Sequence, residues 1–418
     1  MKYKRLLFEI ISKRLKLRFS PVILLMIFLL SSNLLAVDMF VLIRGGKILT
    51  MTKGILLNTD ILIKNGKIIE IADKIKKPEG AIFINATDKI VMPGMIDLHS
   101  HIGTMGASWK DQDCNEQSGP STPQVSIADS INPYHEDFKN ALSGGVTTVL
   151  ISPGSGNVIG GKDVLLKCYG TSLEKMIIKR ESGMKFGIYN KAYPSTMMGI
   201  NAFLRETLKK TQEYANAVKA WEDSSKNSPD PRNSTMEDLS KVFRGELVAR
   251  MHVESAREIM TAIHIAQEFN LKLELIHAID AYKVIDEISQ RHIPVLYGPL
   301  HPAMGTDSYK SPALLDQAGV KVCLVTDSPV YPEKHLRYQA IFAAKYGMKK
   351  ENVLKAVTLN PAEIVGVVDR LGSIEIGKDA DLVIWDNDPL DIRSKVEKVL
   401  VNGEICYEKP LINNRQIR

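Results

Sequence analysis

The length and composition of this chain exclude a disordered protein and a single small domain. It has 418 residues, of which 44% are hydrophobic and 24% are charged, as in ordinary globular proteins. The net charge of +6 arises within residues 1–37, which hold seven cations and one acid, so the remaining chain is neutral and predicts no nucleic-acid partner.

The first 38 residues predict a signal peptide or an N-terminal membrane anchor. A basic stretch leads into the apolar run Pro21–Leu30, and small or apolar residues continue to Ala36. Leu34 stands where a cleavage site needs a small residue, so an uncleaved anchor with membrane contact stays open. We therefore expect an exported or membrane-anchored protein. The alternative is a cytoplasmic protein whose translation starts at Met39.

Short apolar runs alternate with turn residues near both ends of the chain. The pairs Asn65-Gly66 and Asn402-Gly403 each stand between two β-rich runs, which is typical of tight hairpins. We predict that residues 39–92 and 360–418 form one small β-sandwich domain from both chain ends.

Residues 93–359 alternate short β-branched strands with helices, which predicts an α/β fold of the (β/α)8 TIM-barrel type. Predicted helices include His135–Ser143 and Ser255–Glu268, and the polar region 205–243 forms an excursion after the fourth strand. The eight strands, expected to be buried and parallel, are Met92–His101, Thr147–Ser152, Val164–Cys168, Lys185–Tyr189, Leu247–Val253, Leu271–His277, Ile293–Tyr297 and Lys321–Asp327.

Polar residues at the carboxyl ends of these strands are the candidates for chemistry, because barrel active sites form at that face. Two histidines close the first strand at i and i+2 and therefore point the same way. Taken singly, each candidate has a structural explanation, such as a core histidine or a helix cap. Together they predict a site for a divalent cation such as zinc. The candidate ligands are His99, His101, His252, His277 and Asp327.

Three segments resemble motifs of the amidohydrolase superfamily. Residues 93–101, Pro-Gly-Met-Ile-Asp-Leu-His-Ser-His, resemble its first strand, and residues 371–385 resemble its closing segment. Asn360–Glu363 is similar to the helix that usually precedes that segment. Further similarity in residues 153–161 indicates the branch of imidazolonepropionase-related metal-dependent amidohydrolases.

The resemblance implies an amidohydrolase acting on carbon–nitrogen bonds other than peptide bonds, with a cyclic amide or N-acyl compound as its small-molecule substrate. His99, His101, His252 and Asp327 would bind one Zn²⁺ per chain. His277 would either bind metal or hold the attacking water. Asp327 would serve as general acid and base on the metal-activated water. Homo-oligomerisation stays open.

Three positions depart from the superfamily pattern. Ile188 stands where relatives tend to carry a carboxylate, and Glu254 and Ser328 stand where they often carry histidine. The missing acid favours one metal ion over two, unless a carboxylated Lys167 or Lys191 bridges a pair. Two alternatives therefore remain: a catalytically decayed amidohydrolase-fold binding protein, and a deaminase using the same site.

Overall fold

The computed structural model describes residues 38–105, 112–189, 193–224, 232–301 and 304–410. The predicted signal peptide or anchor lies outside these ranges except for its last residue, so it stays a prediction. Within the described ranges, we find no helix with the length and apolar character that crossing a membrane requires.

Strands and helices follow one another along the described part of the chain. The strands are β1 (Phe40–Leu49), β2 (Ile55–Lys64), β3 (Lys67–Ala72), β4 (Ile82–Asn85), β5 (Ile90–Pro93), β6 (Met95–Ser100), β7 (Val146–Ile151), β8 (Ile159–Lys162), β9 (Val164–Lys167), β10 (Ile177–Lys179), β11 (Gly183–Gly187), β12 (Val248–Val253), β13 (Leu273–His277), β14 (Val295–Tyr297), β15 (Val322–Leu324), β16 (Leu382–Trp385), β17 (Val396–Val401) and β18 (Glu404–Glu408). The helices are α1 (Glu136–Ser143), α2 (Leu173–Met176), α3 (Met197–Glu222), α4 (Ser234–Ser240), α5 (Ala256–Glu268), α6 (Ile285–Ser289), α7 (Thr306–Gln317), α8 (Leu336–Lys345), α9 (Lys350–Lys355) and α10 (Leu359–Ile364). Short 3₁₀ turns lie at Ile127–Ser130, Ala281–Lys283 and Glu333–His335.

Strands from both ends of the chain hydrogen-bond into one mixed sheet. Its order is β18-β17-β16-β5-β1-β2-β3, with β4 also paired to β1. The antiparallel pairing of β5 with β16 joins the two ends. Both predicted hairpins are present: Asn65 and Gly66 have φ of 47° and 82°, and Asn402 and Gly403 have 49° and 73°. The sandwich arrangement of this region stays a prediction.

The middle of the chain has a TIM-barrel-like α/β fold with mixed sheets. β11, β12, β13, β14 and β15 are successive parallel neighbours, and β6 and β7 are parallel in a second sheet. The end of β6 meets the segment after β15, because the Asp327 N–H donates to the His99 carbonyl at 3.0 Å. The His101 N–H donates to the Ser328 carbonyl at 2.9 Å. Complete closure of the barrel stays a prediction.

One of the eight predicted strands runs in the opposite direction. β9 is buried as expected, but it pairs antiparallel with β7, and the preceding β8 pairs antiparallel with β11. The expectation of eight parallel strands is therefore wrong at this point. Only residues 152–158 connect β7 to β8, and a parallel crossover needs a dozen residues or more. The reversal places this loop beside the carboxyl ends of the parallel strands and Lys167 at the opposite end.

The polar excursion and the predicted helices are helical in the structure. α3 begins after Thr196, whose side chain accepts from the Gly199 N–H, and α4 follows. α5 begins after Ser255, which forms a capping box with Glu258. These caps satisfy the unpaired N–H groups that every helix start exposes, so the predicted helix beginning at Ser255 is placed by local sequence.

Lys167 lies in a buried network that connects the barrel strands to the closing segment. Its Nζ donates to Asp379 at 2.8 Å and to Asp381 at 3.0 Å, and it also contacts Asn402. The three charged side chains are only 2% to 4% exposed. Lys167 is therefore bound by carboxylates away from the strand ends, which corrects its proposed role as a bridging ligand. Lys191 lies outside the described residues.

We expect Lys167→Ala to lower the free energy of unfolding by about 3 kcal/mol or more, because it removes a cation from two buried carboxylates. Lys210→Ala is the matched control, since it removes only an exposed pair with Glu206 on α3 and should cost less than about 0.5 kcal/mol. Urea denaturation measures both. Equal losses in the two variants would show that the buried network does not stabilise the fold.

Candidate functional site

The structure brings all five predicted ligands together at one cavity. They lie at or just beyond the ends of β6, β12, β13 and β15, and they border a cavity of about 680 Å³. The residues are His99, His101, His252, His277 and Asp327.

Three of these side chains form a tight group. Nε2 of His99 and Nε2 of His101 each lie 3.3 Å from Oδ1 of Asp327. One ligand atom from each residue lies within 4.8 Å of the other two. Bonds of about 2 Å from two imidazoles and a carboxylate to one divalent cation require this kind of spacing. The donor set therefore fits a metal ion.

The hydrogen bonds of the rings determine which nitrogen is available. Nδ1 of His101 lies 2.8 Å from the Ser152 carbonyl, and Nδ1 of His277 lies 2.6 Å from the Gly298 carbonyl. A carbonyl only accepts, so it assigns the proton to Nδ1 and leaves a lone pair on Nε2. Nε2 of His277 is buried and has no hydrogen-bond partner among the described residues. Such a group needs a ligand to satisfy it.

His252 and His277 lie next to the tight group. Their ring centroids are 4.2 Å apart, and those of His99 and His277 are 5.0 Å apart. Nδ1 of His252 contacts Ser155 Oγ at 2.7 Å, and the ring of Tyr189 stacks on the His252 ring at 4.5 Å. His252 is therefore held from two sides and faces the same space as the other histidines.

Two of the five residues have backbones in the left-handed region. His277 has φ of 66° and Asp327 has φ of 52°. Residues with a Cβ rarely adopt this conformation, which costs on the order of 1 kcal/mol or more and is concentrated at functional sites. The turn that ends each strand thus points both side chains into the cavity at some cost in stability.

A buried pair of acids, Asp97 and Glu333, hydrogen-bonds to His99 and to residues next to the candidate metal ligands. Asp97 accepts from the His99 N–H at 2.9 Å and from the Thr326 hydroxyl at 2.7 Å, and Glu333 accepts from the Ser100 hydroxyl at 2.7 Å. Burial raises the pKa of Asp97 to about 6. Burial and the neighbouring Asp97 raise the pKa of Glu333 well above its ordinary value. This buried pair therefore holds protons more tightly than exposed carboxyl groups do.

The protonation states at the site suit metal binding. Burial lowers the pKa values of His99, His252 and His277, so these imidazoles are neutral near pH 7. Burial opposes ionisation of Asp327, but the adjacent imidazoles of His101 and His99 hold its pKa well below the ordinary value. Neutral imidazoles and an ionised carboxylate are the forms that coordinate cations.

Lys185 on β11 is the site residue that sequence reasoning missed. It is fully buried, and its Nζ has no hydrogen-bond partner in the described part of the chain. Burial lowers its pKa to about 8, against the opposing charges of Asp327 and Asp163. The sequence pattern predicts it only as the first residue of the fourth strand. A lysine inside an otherwise apolar buried strand was the available signal, because such residues are rarely buried without a role.

The segments around Asn115 and Gly156 both border the cavity and contact each other. The Gly156 N–H donates to Oδ1 of Asn115 at 2.7 Å, and the Gly154 N–H donates to the Cys114 carbonyl at 2.8 Å. A Cβ at Gly156 would lie 2.6 Å from the same Asn115 oxygen. A larger residue at Gly156 would therefore displace the Asn115 side chain from the loop that carries Ser155 to His252.

Known proteins that are similar to this chain in sequence and structure include amidohydrolases. The sequence profile of the Amidohydrolase family matches residues 228–406. The crystal structure of an amidohydrolase from Thermotoga maritima MSB8 is 34% identical with a TM-score of 0.83, and the match covers 88% of this chain and 100% of that one. Amidohydrolase tasK of Hapsidospora irregularis is 27% identical over 399 residues, which cover 84% of this chain and only 40% of that longer protein. The imidazolonepropionase of Thermoplasma volcanium is 24% identical over 384 residues, which cover 84% of this chain and 91% of that protein.

We expect metal-free Lys185→Met to be more stable than the parent at pH 7, by roughly 3 kcal/mol. The pKa of Lys185 falls from 10.5 to about 8 in the folded protein, so folding opposes the charged form. That penalty is complete below about pH 8 and disappears as the pH rises towards 10.5. Urea denaturation at pH 7 and pH 10 should show the difference shrinking. A difference that does not change with pH would contradict the assignment.

Proposed function

Because the chain belongs to the amidohydrolase family, we propose that it is a metal-dependent hydrolase of cyclic amides or N-acyl compounds that binds one Zn²⁺. The observation that carries the proposal is the group His99, His101 and Asp327, whose ligand atoms lie within 4.8 Å of one another. The cavity of about 680 Å³ at this group has the size expected for a small-molecule substrate.

His99, His101 and Asp327 would hold the ion, and His252 would complete the set. A divalent cation bound there would supply a Lewis acid that activates water and polarises the scissile carbonyl. The remaining chemistry belongs to the protein. The Gly298 carbonyl fixes the His277 ring so that its Nε2 lone pair faces the site, where it can accept a hydrogen bond from the attacking water.

Asp327 would act as general base and then general acid. Its carboxylate is ionised and lies against both histidines of the first strand, so it can accept a proton from water at the reaction centre. It then returns that proton to the leaving nitrogen when the carbon–nitrogen bond breaks. Its positive φ and the backbone hydrogen bond to His99 fix the carboxylate in place for both transfers.

A site with two metal ions is the second candidate, and Lys185 is the residue that supports it. Ile188 is fully buried beside the site and provides no bridging acid. In its neutral form the Lys185 amine could bond to the carbon of CO₂ and release one proton, forming a carbamate whose carboxylate would serve as the bridging acid. Its electrostatic interaction with Asp327 and His99 supports this assignment. This lysine takes the role that the sequence suggested for Lys167, and the same suggestion for Lys191 stays a prediction.

The purified full-length protein should hold close to one tightly bound zinc ion per chain. The double variant His99→Ala/His101→Ala should lose the ion and the hydrolytic activity together, because it removes two ligands. His264→Ala is the matched control, since His264 is exposed on α5 away from the site. Elemental analysis gives the metal content, and hydrolysis of hydantoins and N-acyl amines gives the activity.

Other outcomes of that measurement favour the alternatives. Two ions per chain that fall to one in Lys185→Gln would support the carbamate. Ammonia released from an amidine-like substrate, with no cleavage of amides, would support a deaminase. Absence of metal after reconstitution with zinc would refute the hydrolase and leave the catalytically decayed binding protein.

Asp327→Asn should lower kcat by about 10²- to 10⁴-fold, because the amide keeps an oxygen for the metal but cannot accept a proton. Metal content is measured alongside, so that loss of the ion is not mistaken for loss of proton transfer. Asp307→Asn on α7 provides the same chemical change at an exposed position and should leave kcat unchanged. A metal-loaded Asp327→Asn variant with parental kcat would rule out the proposed proton transfer.

A further inference from the structure

We propose that the substrate is an open-chain N-acyl compound with a positively charged group, and that this group binds beside Glu254 in a second cavity next to the reaction centre. The inference rests on the proposed hydrolase function and narrows its two substrate classes to one. It follows from two separate observations, the division of the cavity and the charge of its lining.

Two cavities meet at the candidate metal site. The larger one, of about 680 Å³, is bordered by His99 and His101. The smaller one, of about 420 Å³, is bordered by Glu254 and His301 on the side of β12, β13 and β14. The side chains of His252, His277 and Asp327 border both cavities. A scissile bond placed at these shared residues therefore has space on two sides.

An open-chain amide uses this arrangement better than a cyclic amide does. In a cyclic amide the two atoms of the scissile bond stay connected through the rest of the ring, so both fragments lie on the same side. In an N-acyl compound the acyl and amine parts extend from the bond in opposite directions. Each cavity has a volume within or near the range that binds small ligands, and each can therefore accept one part.

The described linings of the two cavities contain carboxylates and no lysine or arginine. Among the described residues, the lining of the larger cavity has Asp327 as its one acidic side chain and includes neutral polar side chains such as Asn115, Asn157 and Tyr189. The smaller cavity adds the carboxylate of Glu254. The Glu254 carboxylate attracts a cationic group and repels an anionic one, so the part of the substrate that enters the smaller cavity carries the positive charge.

Glu254 is available for such a ligand. Its side chain is 61% exposed, and within the described residues its ion-pair contact is with Nε2 of His252 at 3.5 Å. That distance is at the limit for a hydrogen bond, so the contact leaves the carboxylate accessible to a ligand. A bound divalent ion would add positive charge at the border between the two cavities, and the negative charge of Asp327 would partly offset it there. The carboxylate of Glu254 lies in the smaller cavity and would still attract a cation.

The test compares three N-benzoyl amines of similar length on the zinc-loaded full-length protein. N-benzoylputrescine is cationic, N-benzoylpentylamine is neutral, and N-benzoyl-γ-aminobutyrate is anionic. We expect kcat/KM to fall about tenfold at each step in that order, as a charge-assisted contact predicts. In Glu254→Gln the ratio between the cationic and neutral compounds should fall about tenfold, to near one. Glu79→Gln, an exposed glutamate in the loop between β3 and β4, should leave the ratio unchanged.

Each of the other possible results would refute a specific part of the proposal. Hydrolysis of phenylhydantoin without hydrolysis of any N-benzoyl amine would refute the open-chain substrate and leave the proposed function intact. No hydrolysis of any of the four compounds would refute the proposed function and this inference with it. A charge preference that persists in Glu254→Gln would refute the role of Glu254. Loss of zinc in that variant would show that Glu254 holds His252 for the metal instead.

Discussion

The site depends on the junction between the first and last strands of the barrel-like region. Backbone hydrogen bonds from Asp327 to His99 and from His101 to Ser328 place the two histidines and the aspartate on adjacent segments. The buried pair of Asp97 and Glu333 reinforces this junction. These bonds connect residues more than two hundred positions apart, so the candidate metal group exists only after the fold is complete.

The same junction buries many polar groups, and their protonation states reduce the free-energy cost of that burial. An isolated buried charge is expensive, so buried groups become neutral or find partners. Burial keeps His99, His252 and His277 neutral, it raises the pKa of Glu333, and the ionised Asp327 is stabilised by its neighbours on the first strand. Lys185 is the exception, because its Nζ has no partner in the described structure. The protein therefore gives up stability at this point, which is typical of functional sites.

The sequence predicted the positions of the strands and all five candidate ligands, because both follow from local patterns. Strand ends are marked by a change from apolar to polar residues, and the hairpins by their Asn-Gly pairs. The direction of β9 was not predictable in this way. A buried strand has the same apolar pattern whether its neighbours run parallel or antiparallel. Lys167 was misjudged for the same reason, since the direction of β9 decides at which end of the barrel it lies. Lys185 was missed because sequence alone does not show which side chains of a fully buried strand interact with the candidate ligands.

The reversed third strand also determines how the histidines are held. Because β8 returns directly beside β11, residues 152–158 form a short loop that is fixed at both ends by strands. This loop provides the Ser152 carbonyl to His101 and the Ser155 hydroxyl to His252. A helical crossover would leave a longer loop leading away from the cavity, with fewer constraints on these two contacts. The strand that contradicts the simple barrel pattern is thus the one whose connection orients two candidate ligands from opposite sides of the site.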